Sequence, residues 1–330
     1  MCSLFGWLDY KGIVPHRMLR KLTQALANAA EERGTDAAGI SYVKEGKVVI
    51  YKRPKPAHKI HFHISDGTTA VMGHTRMTTQ GDGKFNYNNH PFHGVAGNTE
   101  FAFAHNGVLW NDKELRKEKL IPDTHIETDS YAACQLIESQ QKLDFDSLKY
   151  MAETVEGNFT FTVLDNKNSL YIIKGNNPMC LIHFPVLGLY VYASTESILR
   201  AALCRLGLHK FASEKVDTIE GDILRIDSSG NITKSAFEPA PTYSKHSRYS
   251  GYGGWYGYYD DYLNEYEEAL LAYCNCYGVE SSDVELLLEY GYTCDEIEEM
   301  LMDHSLLHQA LSDIKDVYGE KMCERYCGVF

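Results

Sequence analysis

The most constraining feature of the sequence lies at its start, where a cysteine follows the initiator methionine and leads into an apolar run. Leu4 to Leu8 have the length and character of a buried β-strand, which would place Cys2 beside the end of a sheet. Aminopeptidases generally remove Met1 when the next side chain is small. Cys2 would then carry a thiol and a free α-amine of pKa about 7.7–8.0, which can act as general base for that thiol. The alternative is an incidental cysteine at a chain terminus.

Bulk composition narrows the class of protein. The 330 residues are 44% hydrophobic and 23% charged, which is typical of a globular protein of about two domains. The sequence has no apolar run of the roughly 18 residues that a membrane span needs and no secretory signal at its start. The nine cysteines form no paired framework, which predicts free thiols in a reducing, cytoplasmic setting. The net charge of −13 argues against nucleic acids and anionic membranes as partners.

Hydrophobic patterns predict a mixture of strands and helices up to about residue 238. A helix is predicted after Pro15, and a buried strand from Ala70 to Arg76 leads into a polar loop from Thr78 to Asn89. The next strand, Phe101 to His105, is predicted to end in an Asn106-Gly107 turn.

Further elements follow along the chain. Asp123 to Glu138 is predicted to be helical, with Thr124 or Thr128 as its cap. Two strand pairs are expected after it: Phe159–Leu164 with Leu170–Lys174, and Leu189–Ala193 with Ile223–Ile226.

The composition changes near Pro239. Residues 239–262 are rich in Tyr, Gly and Ser and are predicted to be a boundary segment, whereas 263–330 show an acidic, helical pattern. This divides the chain into a first domain (2–238), a linker (239–262) and a small helical module (263–330). A zinc site in the module is an alternative suggested by Cys274, Cys276, Cys294, Cys323, Cys327, His304 and His308. Their spacing matches no usual zinc pairing, and small buried cysteines are common in helices.

A series of motifs in the first domain bears on function. In order, they are MCSLFGW at the start, RGTDAAGI at 33–40, GHTRMTTQG at 73–81, NNHPF at 88–92, AHNGVL at 104–109, ETDSY at 127–131, EGNFTFTVLD at 156–165, ASTESIL at 193–199 and EGDILRID at 220–227. Together they resemble the class II glutamine amidotransferase, or N-terminal nucleophile hydrolase, domain over residues 2 to about 235. The resemblance implies an α+β fold, a four-layer αββα sandwich, joined here to a small all-α module.

The resemblance also implies a role for each candidate residue. Cys2 would attack the side-chain amide of glutamine, and Asn106 and Gly107 would form the oxyanion hole. Arg76 would bind the substrate α-carboxylate through its planar fork, and Asp129 the α-ammonium. Thr78 and Thr79 would add contacts from the loop that closes over glutamine. No cofactor is implied.

Each role has a structural alternative. Arg76 could form an ion pair with Asp36, Asn106-Gly107 could be only a tight turn, and Asp129 could cap a helix. The sequence departs from the family at three places: Ser3-Leu4 stand for the commoner Gly-Ile, Gln80 for His, and Thr35 for Pro. None of these removes a catalytic group.

The predicted function is hydrolysis of L-glutamine to glutamate and ammonia, with the ammonia supplied to a separate acceptor protein, since residues after 237 show no phosphate-binding glycine loop. One alternative is the same fold acting on a γ-glutamyl or other amide. Another is a non-catalytic regulatory subunit that binds glutamine.

Overall fold

The computed structural model describes residues 2–239 and, beyond them, residues 279–280, 283–284, 287, 297, 300–301 and 305–312. The chain divides into two compact units, Met1–Ser244 and Lys245–Phe330. In the second unit, residues 305–312 are helical. The predicted linker and most of the predicted helical module lie outside the described residues. Within the part that is described, no helix is both long enough and apolar enough to cross a membrane.

The first unit contains runs of consecutive strands separated by helices. Within residues 2–239 the strands are β1 (Ser3–Asp9), β2 (Ala37–Lys44), β3 (Lys47–Arg53), β4 (Ala70–Arg76), β5 (Phe92–Ala96), β6 (Thr99–Leu109), β7 (Gly157–Asp165), β8 (Leu170–Lys174), β9 (Cys180–Phe184), β10 (Leu189–Ala193), β11 (Glu214–Val216), β12 (Asp222–Ile226) and β13 (Ile232–Ala236). The helices are α1 (His16–Ala29), α2 (Asp112–Lys117), α3 (Ser130–Ser139), α4 (Phe145–Thr154) and α5 (Glu196–Arg205).

The strands form two antiparallel sheets that face each other. The first has the order β11-β9-β10-β1-β4-β2-β3, and the second β13-β12-β8-β7-β6-β5. One core cluster joins the first sheet to α1 and α5, and another joins the second sheet to α3 and α4. A third cluster, with Leu4 and Met72 from the first sheet and Leu164 from the second, fills the space between them. This arrangement confirms the predicted four-layer αββα sandwich.

Strand β1 lies inside the first sheet and positions the start of the chain. All seven of its residues are buried. Because successive side chains of a strand point to opposite faces, Phe5 and Trp7 pack toward the helices while Leu4 and Leu8 pack between the sheets. The Trp7 indole nitrogen donates to Thr23 Oγ1 on α1 at 2.9 Å. Cys2 is therefore held at the end of a strand that is packed on both faces.

Strand β6 shows that one local prediction was wrong. It continues through Asn106 and Gly107, where a turn was expected, and ends at Leu109. The reason is long-range pairing: β7 runs beside it to the end, with Asn106 opposite Thr160 and Gly107 opposite Phe159. An Asn-Gly pair that would favour a turn in isolation lies inside a sheet here.

Two further predictions need correction. The helix expected over Asp123–Glu138 begins only at Ser130, because the preceding residues bond to another loop: Glu127 N donates to Asn88 Oδ1 at 2.9 Å, and Thr128 Oγ1 to Asn88 O at 2.8 Å. The expected pairing of Leu189–Ala193 with Ile223–Ile226 is also wrong. Strand β10 pairs with β1 and β9, and β12 pairs with β8 and β13 in the opposite sheet. Both strands are apolar, and this pattern does not reveal which sheet a strand joins.

Candidate active site

The strand register places Cys2 beside Arg76. Strands β1 and β4 are antiparallel neighbours with Ser3 opposite Thr75, so the residue before Ser3 faces the residue after Thr75. The β6 segment with Asn106 and Gly107 lies in the other sheet, and Asp129 directly precedes α3. The strand register thus brings Cys2 and Arg76 together, and Asp129 lies close enough for its charge to act on both.

The Cys2 thiol is buried, with 8% of the residue exposed. Its Sγ lies 3.4 Å from the carbonyl oxygen of Met77, to which it donates. Burial raises the pKa of the Cys2 thiol, while the bond to Met77 and the charge of Arg76 act in the opposite direction. A thiol whose pKa is raised needs a base to become a nucleophile.

Asn106 is linked to the start of β1 through Ser194. Its Nδ2 lies 3.4 Å from Ser194 Oγ, and the same Oγ accepts the backbone N–H of Leu4 at 2.8 Å. The carbonyl of Asn106 accepts from Asn177 Nδ2 at 2.8 Å. An amide nitrogen has two hydrogens to donate. Asn106 can therefore hold Ser194 and still offer one donor to a ligand.

Gly107 is a position where only glycine fits. Its φ is +142°, which is unfavourable for residues with a Cβ. A Cβ there would lie 1.9 Å from the carbonyl oxygen of Asn158 on the neighbouring strand. The missing side chain lets β6 and β7 approach closely at the residue predicted to supply an oxyanion donor.

Arg76 is a buried cation with neutral partners. Only 2% of the residue is exposed. One guanidinium nitrogen donates to Asn89 Oδ1 at 2.7 Å, and the other to the carbonyls of Gln80 and Gly81 at 2.6 and 3.1 Å. Burial lowers the pKa of Arg76, and the nearby acidic groups of Cys2, Asp129, Asp36 and Asp82 oppose this effect.

The predicted alternative for Arg76, an ion pair with Asp36, is wrong. Asp36 Oδ2 accepts the backbone N–H of Thr78 at 2.7 Å instead. In the described part of the chain, the ion pairs within 4.0 Å include none that joins Arg76 to a carboxylate. No carboxylate of the described residues therefore contacts the guanidinium directly.

Asp129 occupies the position before α3 but does not cap that helix. Its side chain makes no capping bond. Oδ2 accepts the backbone N–H of Leu109 at 2.6 Å, and Oδ1 accepts from Ser130 Oγ at 3.3 Å. The carboxylate is 1% exposed and contributes to the electrostatic environment of Cys2, Arg76 and His105.

The loop after β4 is fastened at several points, while Thr78 and Thr79 are exposed. Gln80, one of the departures from the family pattern, donates through Nε2 to Asp112 Oδ2 at 3.0 Å and to the carbonyl of Glu127 at 3.1 Å. The substrate role of the two threonine side chains stays a prediction.

Four residues near the site were not singled out from the sequence: Ser194, Asn177, Asn89 and Lys52. Ser194 lies within the 193–199 motif and Asn89 within the 88–92 motif, so both were inside recognised segments. Lys52 Nζ donates to the carbonyls of Asn89 and Pro91, the latter at 3.0 Å. Burial lowers the pKa of Lys52 to about 8.

Three buried histidines lie behind the site. His74 Nε2 donates to the carbonyl of His105 at 2.9 Å, and the His74 and His90 rings are 4.1 Å apart. Burial lowers the pKa of all three, that of His74 to about 3, so they are neutral at pH 7. Among the described residues, no group of three or more His, Cys, Asp or Glu is arranged to hold a metal ion. The zinc alternative concerns cysteines outside the described residues.

Comparisons with known proteins concern the same region. Residues 1–163 match the family described as glutamine amidotransferases class-II. A glutamine–fructose-6-phosphate aminotransferase (isomerizing) of Staphylococcus epidermidis is 30% identical over 188 residues, which cover 54% of this chain and 30% of that protein. The enzyme of the same name from Bacillus cereus is 31% identical over 190 residues, with the same two coverages of 54% and 30%. The similarity thus spans less than a third of the length of these curated relatives.

Two solved structures share the fold. Glutamine phosphoribosylpyrophosphate amidotransferase from B. subtilis, complexed with ADP and GMP, gives a TM-score of 0.55 at 19% identity, covering 72% of this chain and 49% of that one. A structure titled as the allosteric regulatory enzyme of purine biosynthesis gives 0.57 at 20% identity with the same coverages of 72% and 49%. At these identities the match concerns the N-terminal nucleophile hydrolase sandwich alone.

Proposed function

Residues 1–163 belong to the class II glutamine amidotransferase family, and from this premise we propose that the protein hydrolyses the side-chain amide of glutamine through a thioester on Cys2. The observation that supports the proposal most is the position of Arg76. It is a buried cation beside Cys2 in the strand register, and its hydrogen-bond acceptors in the described residues are neutral. An anionic group on the substrate would complete its environment.

Substrate recognition would use two opposite charges. The α-carboxylate of glutamine would bind the Arg76 guanidinium, and the α-ammonium would bind Asp129, whose carboxylate has further lone pairs beyond the bonds to Leu109 and Ser130. Such a pair of contacts favours a free amino acid over an amide within a polypeptide, because a peptide lacks both charges.

The chemistry would begin with removal of Met1, which makes the α-amine of Cys2 the general base. The amine takes the thiol proton, Sγ attacks the amide carbon, and Asn106 Nδ2 and the Gly107 N–H stabilise the oxyanion. The protonated amine passes its proton to the leaving nitrogen, and the carbon–nitrogen bond breaks to release ammonia. Water then hydrolyses the thioester to give glutamate and the free thiol.

We propose further that the ammonia passes to an acceptor enzyme on a separate protein. The support is an analogy: the curated relatives are named for transfer from glutamine to fructose-6-phosphate. We also propose a cytoplasmic location, which suits a reduced nucleophile, since the four cysteines of the described residues (Cys2, Cys134, Cys180 and Cys204) are free thiols. A protein that co-purifies with this chain and stimulates glutamate release would support the acceptor.

The test combines N-terminal mass analysis with a glutamate-release assay on the purified full chain. Active protein is expected to begin at Cys2 and to release glutamate from glutamine. Cys2→Ala should abolish turnover, whereas Cys204→Ala, a change at an exposed thiol on α5, should not. Active protein that retains Met1, or a Cys2→Ala variant with full turnover, would overturn the proposal.

Two alternatives are separated by the same preparation. An amidohydrolase for γ-glutamyl compounds would turn over γ-glutamyl peptides faster than glutamine. A non-catalytic subunit would bind glutamine equally well with or without the Cys2 thiol and show no turnover, even with its partner.

A further inference from the structure

The side-chain amide of Asn89 holds the Arg76 side chain, and hydrogen bonds at both ends of that amide fix its orientation. Its Oδ1 accepts from Arg76 at 2.7 Å, and its Nδ2 donates to the carbonyl of Gly83 at 2.8 Å. The reverse orientation would set two donors against each other at Arg76 and two acceptors at Gly83. Asn89 is fully buried, so bulk solvent does not reach its amide.

The backbone of Asn89 is held in turn by Lys52. The ammonium of Lys52 on β3 donates to the carbonyls of Asn89 and Pro91 and lies 5.0 Å from the centre of the Phe92 ring. The carbonyl of Lys52 accepts from Asn86 Nδ2 at 3.0 Å. The segment from Asn86 to Phe92 is thereby fastened to an edge strand at both ends, which limits where the Asn89 side chain can lie.

We propose that Asn89 determines specificity for a free α-carboxylate because it anchors Arg76 without neutralising it, with Lys52 as the residue that positions Asn89. This inference rests on the proposed function and adds to it. A neutral amide satisfies one guanidinium nitrogen and leaves the positive charge of Arg76 to the substrate. An aspartate in the same place has nearly the same shape and would accept the same bond from Arg76, although it would lose the donation to Gly83 O. Its carboxylate would pair with Arg76 and compete with the substrate carboxylate.

The deciding variant is Asn89→Asp in the full chain. The assay compares L-glutamine with its analogue in which the α-carboxylate is replaced by a carboxamide. We expect the KM for glutamine to rise at least tenfold, with kcat within threefold of the wild type. The preference for glutamine over the analogue, measured as the ratio of kcat/KM values, should shrink at least tenfold, because only glutamine depends on the charge of Arg76. Loss of packing alone would affect both compounds equally.

Asn28→Asp is the matched control, because Asn28 also accepts a side-chain bond through Oδ1, from Gln24 at 2.8 Å, but lies on α1. It should leave the preference unchanged. Lys52→Met is the second variant: it should raise the KM for glutamine with kcat retained, and Lys52→Arg should restore part of the affinity.

The outcomes distinguish the two proposals. A wild-type protein that releases no glutamate from glutamine overturns the proposed function. An active wild type whose Asn89→Asp variant keeps the wild-type preference overturns the role of Asn89. If Asn89→Asp fails to fold, Lys52→Met provides the test. An unchanged KM for glutamine in that variant would show that Lys52 does not position Arg76 through Asn89.

Discussion

The carboxylate of Asp129 accepts the backbone N–H of Leu109, with 2.6 Å between Oδ2 and the nitrogen. The residue that precedes α3 thus fastens β6 at a point two residues beyond Gly107. One buried carboxylate, proposed to bind the substrate ammonium, therefore also holds the strand that carries Asn106 and Gly107. A substitution at Asp129 can therefore separate the effect of its charge on substrate binding from its effect on the position of β6.

Asp129→Asn should weaken substrate binding while retaining the strand contact. The asparagine oxygen can still accept from Leu109 N, but the negative charge is lost. Hydrogen bonds to charged groups are worth about 1.5–3 kcal/mol, or about 10- to 150-fold in affinity. We expect the KM for glutamine to rise by a factor in that range, measured by steady-state kinetics. Asp222→Asn is the control. Asp222 also accepts a backbone N–H, from Ile219 at 3.1 Å, but it is the first residue of β12 and is not among the proposed site residues. Equal effects of the two variants would contradict the assignment.

Gly107→Ala should destabilise the protein and remove turnover together. The strained φ alone costs about 1–3 kcal/mol, and the added Cβ would also lie 1.9 Å from Asn158 O, which forces β6 away from β7. Urea unfolding and glutamate release measure the two effects. Gly46→Ala is the comparison, since Gly46 has a φ of +74° with open space around its Cβ position and should show only the conformational cost of about 1–2 kcal/mol. A Gly107→Ala variant as stable and active as Gly46→Ala would show that the close approach is unimportant.

Ser194→Ala should lower kcat more than it changes KM. The substitution removes the acceptor of both Leu4 N and Asn106 Nδ2, leaving a buried N–H without a partner at a cost of about 1–3 kcal/mol. Because Asn106 is proposed to act on the oxyanion, its misplacement affects the transition state, and we expect kcat to fall about tenfold or more.

The control for Ser194→Ala is Ser41→Ala, which removes another buried hydroxyl of the first sheet, one that donates to Met72 O at 3.4 Å. It should leave kcat unchanged. If Ser194→Ala altered KM alone, the link from Ser194 to the oxyanion hole would be wrong.

The buried histidines should make the fold sensitive to acid. The pKa of His74 is about 3 in the folded protein, against about 6.5 in an unfolded chain. Between these values the unfolded state binds more protons, so the free energy of unfolding falls as the pH drops below about 6.5, by up to about 1.4 kcal/mol per pH unit for each such histidine. The pKa of His90 is also lowered by burial, and both its ring nitrogens lack a hydrogen-bond partner.

His90→Phe tests this directly, because the ring lies between His74 and Phe92 and loses no hydrogen bond on replacement. Urea unfolding at pH 7.5 and pH 5 should show a smaller loss of stability in the variant than in the wild type. An identical loss in both proteins would mean that His90 is not among the groups responsible. His63→Phe, at an exposed histidine, is the control and should keep the wild-type loss.

Local patterns in the sequence predicted much of the fold. The strand from Ala70 to Arg76 matches its predicted bounds, and α1 follows Pro15 as its apolar spacing indicates. The errors arose where partners distant in sequence override local preference. Asn106-Gly107 stays extended because β7 supplies a ladder, and residues 123–129 stay non-helical where Asn88 bonds to Glu127 and Thr128.

The sequence by itself determined which residues are candidates for the chemistry, because motif order and the type of side chain needed for each role can be recognised without coordinates. It predicted Cys2 at a strand end and Arg76 at the end of another strand, but it placed Asp129 within a helix that in fact begins only at Ser130. Only the tertiary structure decided what those groups contact. Ser194 meets Leu4 across 190 positions, Asp129 bonds to β6 instead of its own helix, and Arg76 is held by the neutral Asn89 while Asp36 binds elsewhere. The physical reason is that the electrostatic environment of a buried charged residue depends on every group packed around it. Those groups come from strands and loops that are distant in sequence and are brought together only when the two sheets pack.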